Sequence, residues 1–243
     1  MISGMTSLLA LSLPGCVSLT ADATAIANGR KKTLLLVHGA WHGGWCWDLV
    51  GAGMEKLGWD VFAPTLSGLG DRAAEMSPAI GLDTHIEDIV RVIRENDLTK
   101  IILVGHSYGG MVITGVADRV KERIKHIVYL DAALPDDGES MISYGPEKSK
   151  TMLAATEKQL RNFAADGIAM PPFPPEFLDV PKDHARYEWV RARLTPHPLK
   201  TWLDPIRLGK SGSSGLPRTY VHCVAPVLEL NTRHIFLTYK NHV

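Results

Sequence analysis

The chain has 243 residues, with 26 basic and 26 acidic side chains and a formal net charge of zero. This balance gives no electrostatic support for binding to nucleic acid or to an anionic membrane surface, and no apolar run is long enough to span a bilayer. The three cysteines are widely spaced and give neither a disulfide framework nor a metal-binding pattern. The length favours one large α/β domain, or one domain that carries an insertion.

Residues 1–29 differ in composition from the rest of the chain. Residues 7–13 form a short apolar run, and Cys16 follows a Pro-Gly pair, as in a signal-peptide or lipoprotein pattern. No Lys or Arg precedes the run, although signal peptides normally begin with positive charge. Two alternatives stay open: an export signal on a periplasmic or secreted protein, or an N-terminal extension on a cytoplasmic one. Residues 30–243 are predicted to form the folded domain.

The first predicted strand covers residues 33–37, an apolar run typical of a buried strand. It leads into a glycine-rich loop over residues 38–47. Backbone N–H groups in such a loop can point inward and receive an oxyanion, and Ala40 N–H is the predicted donor. Trp41 is predicted to line the substrate pocket, with packing in the core as the alternative. The two histidines of the loop have no carboxylate or Cys nearby in the sequence, so no metal site is predicted.

An amphipathic helix is predicted after the next strand, which covers residues 60–64. Its apolar positions repeat at helical intervals and are Ile86, Ile89, Val90 and Ile93. Thr84 opens a Thr-x-x-Glu pattern with capping-box spacing. We expect His85 and Asp88 on this helix to be surface or cap residues.

The most informative stretch is a strand at residues 101–104 that runs into Gly105-His106-Ser107-Tyr108-Gly109 and then into a helix-compatible run. Strand, tight turn and helix form the context in which Gly-x-Ser-x-Gly holds a nucleophile. The turn strains Ser107 and lifts its hydroxyl above the sheet, and a Cβ at either glycine would collide there. Tyr108 N–H, at the start of the helix, is the second predicted oxyanion donor. An incidental serine in a glycine-rich turn is the alternative.

A further predicted strand, residues 127–131, ends in Asp131. Strands and helices that alternate in this way form parallel sheets with right-handed crossovers, in which ligands bind beyond the carboxyl ends of the strands. Ser107, Ala40 and Asp131 all lie at such ends. We therefore expect them to converge.

Residues 136–205 interrupt the alternation of strands and helices. Two helix-prone stretches, around residues 149–165 and 184–194, flank a proline-rich segment at 171–175. Their position predicts an inserted helical lid over the mouth of the site. Strands are predicted to follow at residues 218–224 and 235–239.

Two segments resemble the α/β-hydrolase fold: residues 37–45 (Val-His-Gly-Ala-Trp-His-Gly-Gly-Trp) and 105–111 (Gly-His-Ser-Tyr-Gly-Gly-Met). More narrowly, they resemble the branch of plant methylesterases, hydroxynitrile lyases and bacterial carboxylesterases, including pyrethroid-hydrolysing ones. The resemblance runs from about residue 33 to 224. It implies a mostly parallel central sheet flanked by helices, Ser107 as the nucleophile, and the N–H groups of Ala40 and Tyr108 as the oxyanion hole.

The end of the chain departs from the family pattern. Such enzymes follow the strand at 218–224 with a helix, another strand, a loop that carries the catalytic His, and a final helix. Nineteen residues follow Val224 here, and residues 225–233 supply nine for a crossover that normally needs a dozen or more. The sequence predicts a C-terminus that is shortened or altered relative to the family.

Serine triads on this fold run Ser, acid, His along the chain. Asp131 is the predicted acid because of its position at a strand end, and Glu229 is the second candidate. His242, just after a candidate strand, is the predicted base, and His234 is less suitable because it precedes that strand. The absence of a competent base is an equal alternative. His106 is predicted beside the pocket, with its side chain pointing away from the nucleophile.

The sequence predicts a carboxylic ester hydrolase that needs no metal or organic cofactor and acts on small to medium apolar or aromatic esters. Ser107 argues against epoxide hydrolases and dehalogenases, which carry Asp at this position. A non-catalytic or truncated inactive member of the fold is the main alternative. A hydroxynitrile lyase ranks lower, because such lyases carry Thr in the loop that here contains Ala40 and Trp41. The oligomeric state is open, with a homodimer as one option.

Overall fold

The structure is a computed structural model that describes residues 32–145, 148–178, 180–209 and 215–223. Its main strands are β1 (Lys32–Val37), β2 (Trp59–Phe62), β3 (Ile101–His106), β4 (Ile124–Leu130) and β7 (Arg218–Val221). They form one parallel sheet in the order β2-β1-β3-β4-β7. The parallel α/β architecture predicted from the alternation of elements is therefore confirmed.

Both faces of the sheet are covered, as is usual for parallel strands. The connecting helices are α1 (Asp48–Lys56), α2 (Leu82–Glu95) and α3 (Gly109–Arg119). Because side chains alternate along a strand, Leu35 and Leu103 belong to the larger apolar core with α2 and α3, whereas Leu36 and Val104 belong to a second core that contains Trp47.

The structure corrects two expectations about α2. The helix begins at Leu82 with Gly81 as its N-cap, and the Thr84 hydroxyl accepts a hydrogen bond of 3.2 Å from Gly81 N–H. Thr84 therefore lies in the first turn and does not open the helix. His85 and Asp88 are buried, with exposed fractions of 0% and 4%, so their predicted surface position is wrong. Both side chains hydrogen-bond to Ser67, in the loop that follows β2.

The segment between β4 and β7 carries the insertion, which we call the lid. Its elements are α4 (Lys150–Phe163), β5 (Ala169–Met170), α5 (Tyr187–Arg191), β6 (His197–Pro198) and α6 (Lys200–Leu203). Strands β5 and β6 pair antiparallel, with Met170 opposite His197. The first predicted lid helix corresponds to α4, whereas the second is reduced to the five residues of α5.

The predicted strand at residues 235–239 lies outside the described residues, as do Glu229, His234 and His242. Among the helices that the structure describes, none combines the length and apolarity needed to cross a membrane.

Candidate active site

Ser107 occupies the sharp turn between β3 and α3. Its φ of 53° lies in the left-handed region, which non-glycine residues seldom adopt. The Ser107 carbonyl accepts hydrogen bonds of 3.0 Å from both Gly110 N–H and Ala133 N–H, and Ser107 N–H donates to the carbonyl of Leu130 at 3.4 Å. Strain of this kind persists only where the surroundings over-determine the backbone, and it is concentrated at functional sites.

The glycines around Ser107 are required by close approach of the backbone. A Cβ on Gly105 would lie 2.7 Å from the Gly109 carbonyl oxygen, and a Cβ on Gly109 would lie 2.8 Å from that of Val37. At Gly110 the corresponding distance to the Ala133 carbonyl oxygen is 1.9 Å. The predicted collisions at Gly105 and Gly109 are confirmed, and Gly110 adds a third.

The loop that follows β1 passes directly beside the nucleophile. A Cβ on Gly39 would lie 3.1 Å from the Cβ of Ser107, so a larger residue would push the loop away. Ala40 and Trp41 come next and are buried, with exposed fractions of 5% and 6%. Tyr108, the residue after the nucleophile, is the N-cap of α3. The two predicted oxyanion donors therefore flank the turn from β1 and from α3.

Asp131 lies directly after β4, and His222 lies directly after β7. His222 Nδ1 is 3.1 Å from Asp131 Oδ1, and the two side chains are 34% and 29% exposed. Asp131 also has a positive φ, 41°. Its N–H donates to the carbonyl of Val221 at 2.7 Å. The structure thus brings a carboxylate and an imidazole together at the carboxyl ends of β4 and β7, and β4 is the neighbour of β3, which leads into Ser107.

His222 was not among the residues that sequence reasoning selected, because it was placed inside the strand predicted at 218–224. Strand β7 ends at Val221, one residue before it. The signal that could have found it is chain order, since Ser107, Asp131 and His222 follow the order Ser, acid, His expected for this fold.

Comparison with known protein families gives a match over most of the chain. A model of the alpha/beta hydrolase family matches residues 34–236. The chain belongs to this family. It is 40% identical over 192 residues to a carbendazim hydrolyzing esterase of Nocardioides sp. (strain SG-4G), covering 77% of this chain and 78% of the relative. Methylesterase 2 of Arabidopsis thaliana is 27% identical over 210 residues, with 80% and 78% covered.

Solved structures give the same result. An extracellular alpha/beta-hydrolase from a Paenibacillus species is 29% identical with a TM-score of 0.66, covering 78% of this chain and 76% of that one. A pyrethroid hydrolase from Sphingobium faniae JZ-2 has a TM-score of 0.61 at 19% identity, covering 79% and 77%, and it supports the fold alone. The family and the esterase relatives identify this chain as a hydrolase of the esterase class.

Two histidines near the nucleophile of this hydrolase are neutral. Burial lowers the pKa of His38 to about 3; its Nδ1–H donates to the Gly39 carbonyl at 2.8 Å and its Nε2 accepts from Leu66 N–H at 3.1 Å. Burial lowers the pKa of His106 to about 4, and its ring lies edge-on to Trp47 with centroids 6.4 Å apart. Within the described ranges, no group of three or more His, Cys, Asp or Glu side chains is arranged to hold a metal ion.

A buried chain of hydrogen bonds holds the side chain of Tyr108. His85 Nε2–H donates to the Ser67 carbonyl at 2.9 Å, so the bare Nδ1 accepts from the Tyr108 hydroxyl, also at 2.9 Å. Asp88 accepts from Ser67 N–H at 2.8 Å and from its hydroxyl at 3.0 Å, and Arg72 lies 3.2 Å from the same carboxylate. The N-cap residue of α3 is thereby fixed to α2 and to the loop after β2.

Aromatic side chains of the lid extend from the protein surface to Trp41. The Phe173 ring lies 4.8 Å from the Trp41 ring. Phe163 and Phe177 stack on Phe173 at 5.8 and 6.2 Å. These three phenylalanines are 40–50% exposed, which is unusual for apolar side chains that stack on one another. They form an apolar surface that ends beside the predicted oxyanion loop.

Proposed function

We propose that this hydrolase cleaves carboxylic esters by covalent catalysis on Ser107. The observation that carries the proposal is the strained Ser107 turn, which lies between the start of α3 and the loop that contains Ala40. Ser107 Oγ attacks the ester carbonyl, and the N–H groups of Ala40 and Tyr108 receive the oxyanion. Collapse of the tetrahedral intermediate expels the alcohol and leaves an acyl-enzyme. Water then attacks the acyl group and releases the acid.

The base in this proposal is His222, held by Asp131. With Nδ1–H donating to the carboxylate, Nε2 is the nitrogen that accepts the Ser107 proton and later returns it to the leaving alcohol. Asp131 keeps the imidazole in this tautomer and stabilises the imidazolium as it forms. His242, the base predicted from the family pattern, is the competing assignment.

The proposed substrates are esters with an apolar or aromatic acyl group. The support is the surface formed by Phe163, Phe173 and Phe177, because it leads to Trp41 beside the oxyanion loop. Steady-state rates on p-nitrophenyl esters of increasing acyl length test this assignment. We expect kcat/KM to rise from acetate to butyrate or longer, and equal rates across the series would contradict the assignment.

The deciding experiment is hydrolysis of p-nitrophenyl butyrate by the full chain and by Ser107→Ala. We expect kcat to fall by about 10³-fold or more, since removing the nucleophile leaves only what binding and the oxyanion hole supply. Ser77→Ala, in a loop before α2, is the matched control and should keep full activity. A folded, unmutated chain without turnover would contradict the proposal and favour a non-catalytic member of the fold.

A further inference from the structure

Trp41 has an unusual backbone for a large side chain, and the lid holds it there. Its φ is 64°, a conformation that costs on the order of 1–3 kcal/mol for a non-glycine residue. Trp41 N–H donates to His197 Nδ1 at 3.4 Å, and the Trp41 carbonyl accepts from Thr195 N–H at 3.0 Å. The indole N–H donates to the Met170 carbonyl at 3.3 Å. All three partners belong to the lid, and two of them are the opposed residues of β5 and β6.

The hydrogen bonds around Ala40 fix the two peptide groups that flank its Cα. The first contains the Gly39 carbonyl and Ala40 N–H, and His38 Nδ1–H donates to that carbonyl. The second contains the Ala40 carbonyl, which accepts from His42 Nδ1–H at 2.7 Å, and Trp41 N–H, which donates to His197. Because peptide groups are planar, the bond from His38 orients the plane that contains Ala40 N–H, and fixing the second peptide group limits how far that plane can turn about the Ala40 Cα.

The tautomer of His197 suits this role. Thr201 Oγ1–H donates to the Pro198 carbonyl at 2.8 Å, so His197 Nε2–H donates to Thr201 Oγ1 at 2.7 Å. Nδ1 therefore carries no proton and accepts from Trp41. His197 has an exposed fraction of 0%, and burial keeps its pKa well below the usual range, so the ring stays neutral. Hydrogen bonds within the lid therefore decide that His197 Nδ1 is the atom that accepts from Trp41 N–H.

We propose that His197 is a positioning residue through which the lid sets the geometry of the oxyanion hole. The lid then affects the rate of the chemical step in addition to covering the site. This inference rests on the proposed function, in which Ala40 N–H receives the oxyanion. If the lid moves away from the loop, Trp41 loses the hydrogen bonds that offset its strain, and only the loop's own hydrogen bonds from His38 and His42 still hold the peptide groups around Ala40.

A matched pair of variants separates positioning from packing. His197 also contacts other rings, with the Tyr108 ring centroid at 4.8 Å, so truncation alone would disturb the core. In His197→Asn the amide oxygen can take the place of Nδ1 and accept from Trp41 N–H. In His197→Gln the amide nitrogen takes the place of Nε2 and donates to Thr201, while Trp41 N–H loses its acceptor.

The experiment combines kinetics on p-nitrophenyl butyrate with hydrogen exchange of the peptide that spans residues 38–44. We expect His197→Gln to lower kcat about tenfold to a hundredfold, less than outright loss of an oxyanion donor, with KM changed by less than about twofold. Inhibition by phenylboronic acid, whose tetrahedral adduct with Ser107 places an oxygen in the hole, should weaken in parallel. Exchange at Trp41 N–H should accelerate. His197→Asn should stay within about threefold of the unmutated chain in kcat.

Equal exchange in both variants, or equal losses of kcat that follow their unfolding temperatures, would overturn the inference. Failure of the proposed function gives a different result. If the unmutated chain has no turnover that depends on Ser107, ester hydrolysis is contradicted, and the exchange difference still decides whether His197 holds the loop.

Discussion

Asp131 and His222 meet because β4 and β7 are neighbours in the sheet. Leu130 pairs with Val221, and Asp131 N–H donates to the Val221 carbonyl at 2.7 Å, so the residue after each strand has little freedom. The contact of 3.1 Å between His222 Nδ1 and Asp131 Oδ1 is exposed enough to be screened by water, and polar contacts this exposed add little stability. The contact with Asp131 matters because it orients the His222 imidazole.

Replacement of the two candidate bases tests this relationship directly. We expect His222→Ala to lower kcat for p-nitrophenyl butyrate by about 10³-fold, and Asp131→Asn to lower it by about 10²- to 10⁴-fold because the tautomer is lost. His242→Ala should retain activity. His126→Ala is the control, because it removes a different histidine at the contact between β4 and β7, where His126 hydrogen-bonds to Thr219. Activity that survives His222→Ala and disappears in His242→Ala would assign the base to His242.

The close approach at Gly110 predicts a large loss of stability on adding one methyl group. In Gly110→Ala the new Cβ would lie 1.9 Å from the Ala133 carbonyl oxygen, so backbone must move, and we expect the free energy of unfolding to fall by about 3 kcal/mol. Gly53→Ala in α1 is the matched control, because nothing lies within 4 Å of its Cβ. For Gly53→Ala we expect the free energy of unfolding to rise by about 0.5–1 kcal/mol, because Ala favours a helix more than Gly does. Urea unfolding measures both, and equal effects would contradict the steric argument.

Local patterns predicted the parallel sheet, the Ser107 turn and the loop with Ala40, because each depends on a short run of neighbouring residues. The contacts of His197 and His85 were not predictable in this way. His197 accepts a hydrogen bond from Trp41, which is 156 residues away in the sequence. His85 is buried, and its ring hydrogen-bonds to Tyr108 and to Ser67. His222 was missed because the apolar residues after it extended the predicted strand beyond the point where pairing with β4 ends.

Asp88 and Asp83 lie on the same helix and should differ sharply in their contribution to stability. Asp88→Ala leaves the buried Ser67 N–H without its acceptor and removes one of the two carboxylates that contact Arg72, which keeps Glu75, so we expect a loss of about 2–3 kcal/mol. Asp83 pairs with Arg119 at the surface and its side chain is 77% exposed. Asp83→Ala should cost less than about 1 kcal/mol. Chemical denaturation measures both, and a comparable loss in the two variants would refute the buried network.

Buried histidines give the protein a defined pH dependence. Burial lowers the pKa of His38 to about 3 and that of His85 to about 4, whereas a histidine in the unfolded chain titrates near 6.5. Below pH 6.5 the unfolded state therefore binds protons that the folded state does not, so stability is fully present above that pH and is lost as the pH falls towards 4. Each such residue contributes a slope of up to about 1.4 kcal/mol per pH unit.

His85→Gln isolates the contribution of one of these residues. At pH 8 the variant should be less stable than the unmutated chain, because its side chain reproduces the hydrogen bonds to Tyr108 and Ser67 imperfectly. Between pH 8 and pH 5 it should lose about 2 kcal/mol less of its free energy of unfolding, since Gln does not titrate. Urea unfolding at the two pH values measures both differences. An identical pH dependence in the two proteins would mean that His85 takes up a proton in the folded state as readily as in the unfolded state, which the hydrogen bond accepted by its Nδ1 opposes.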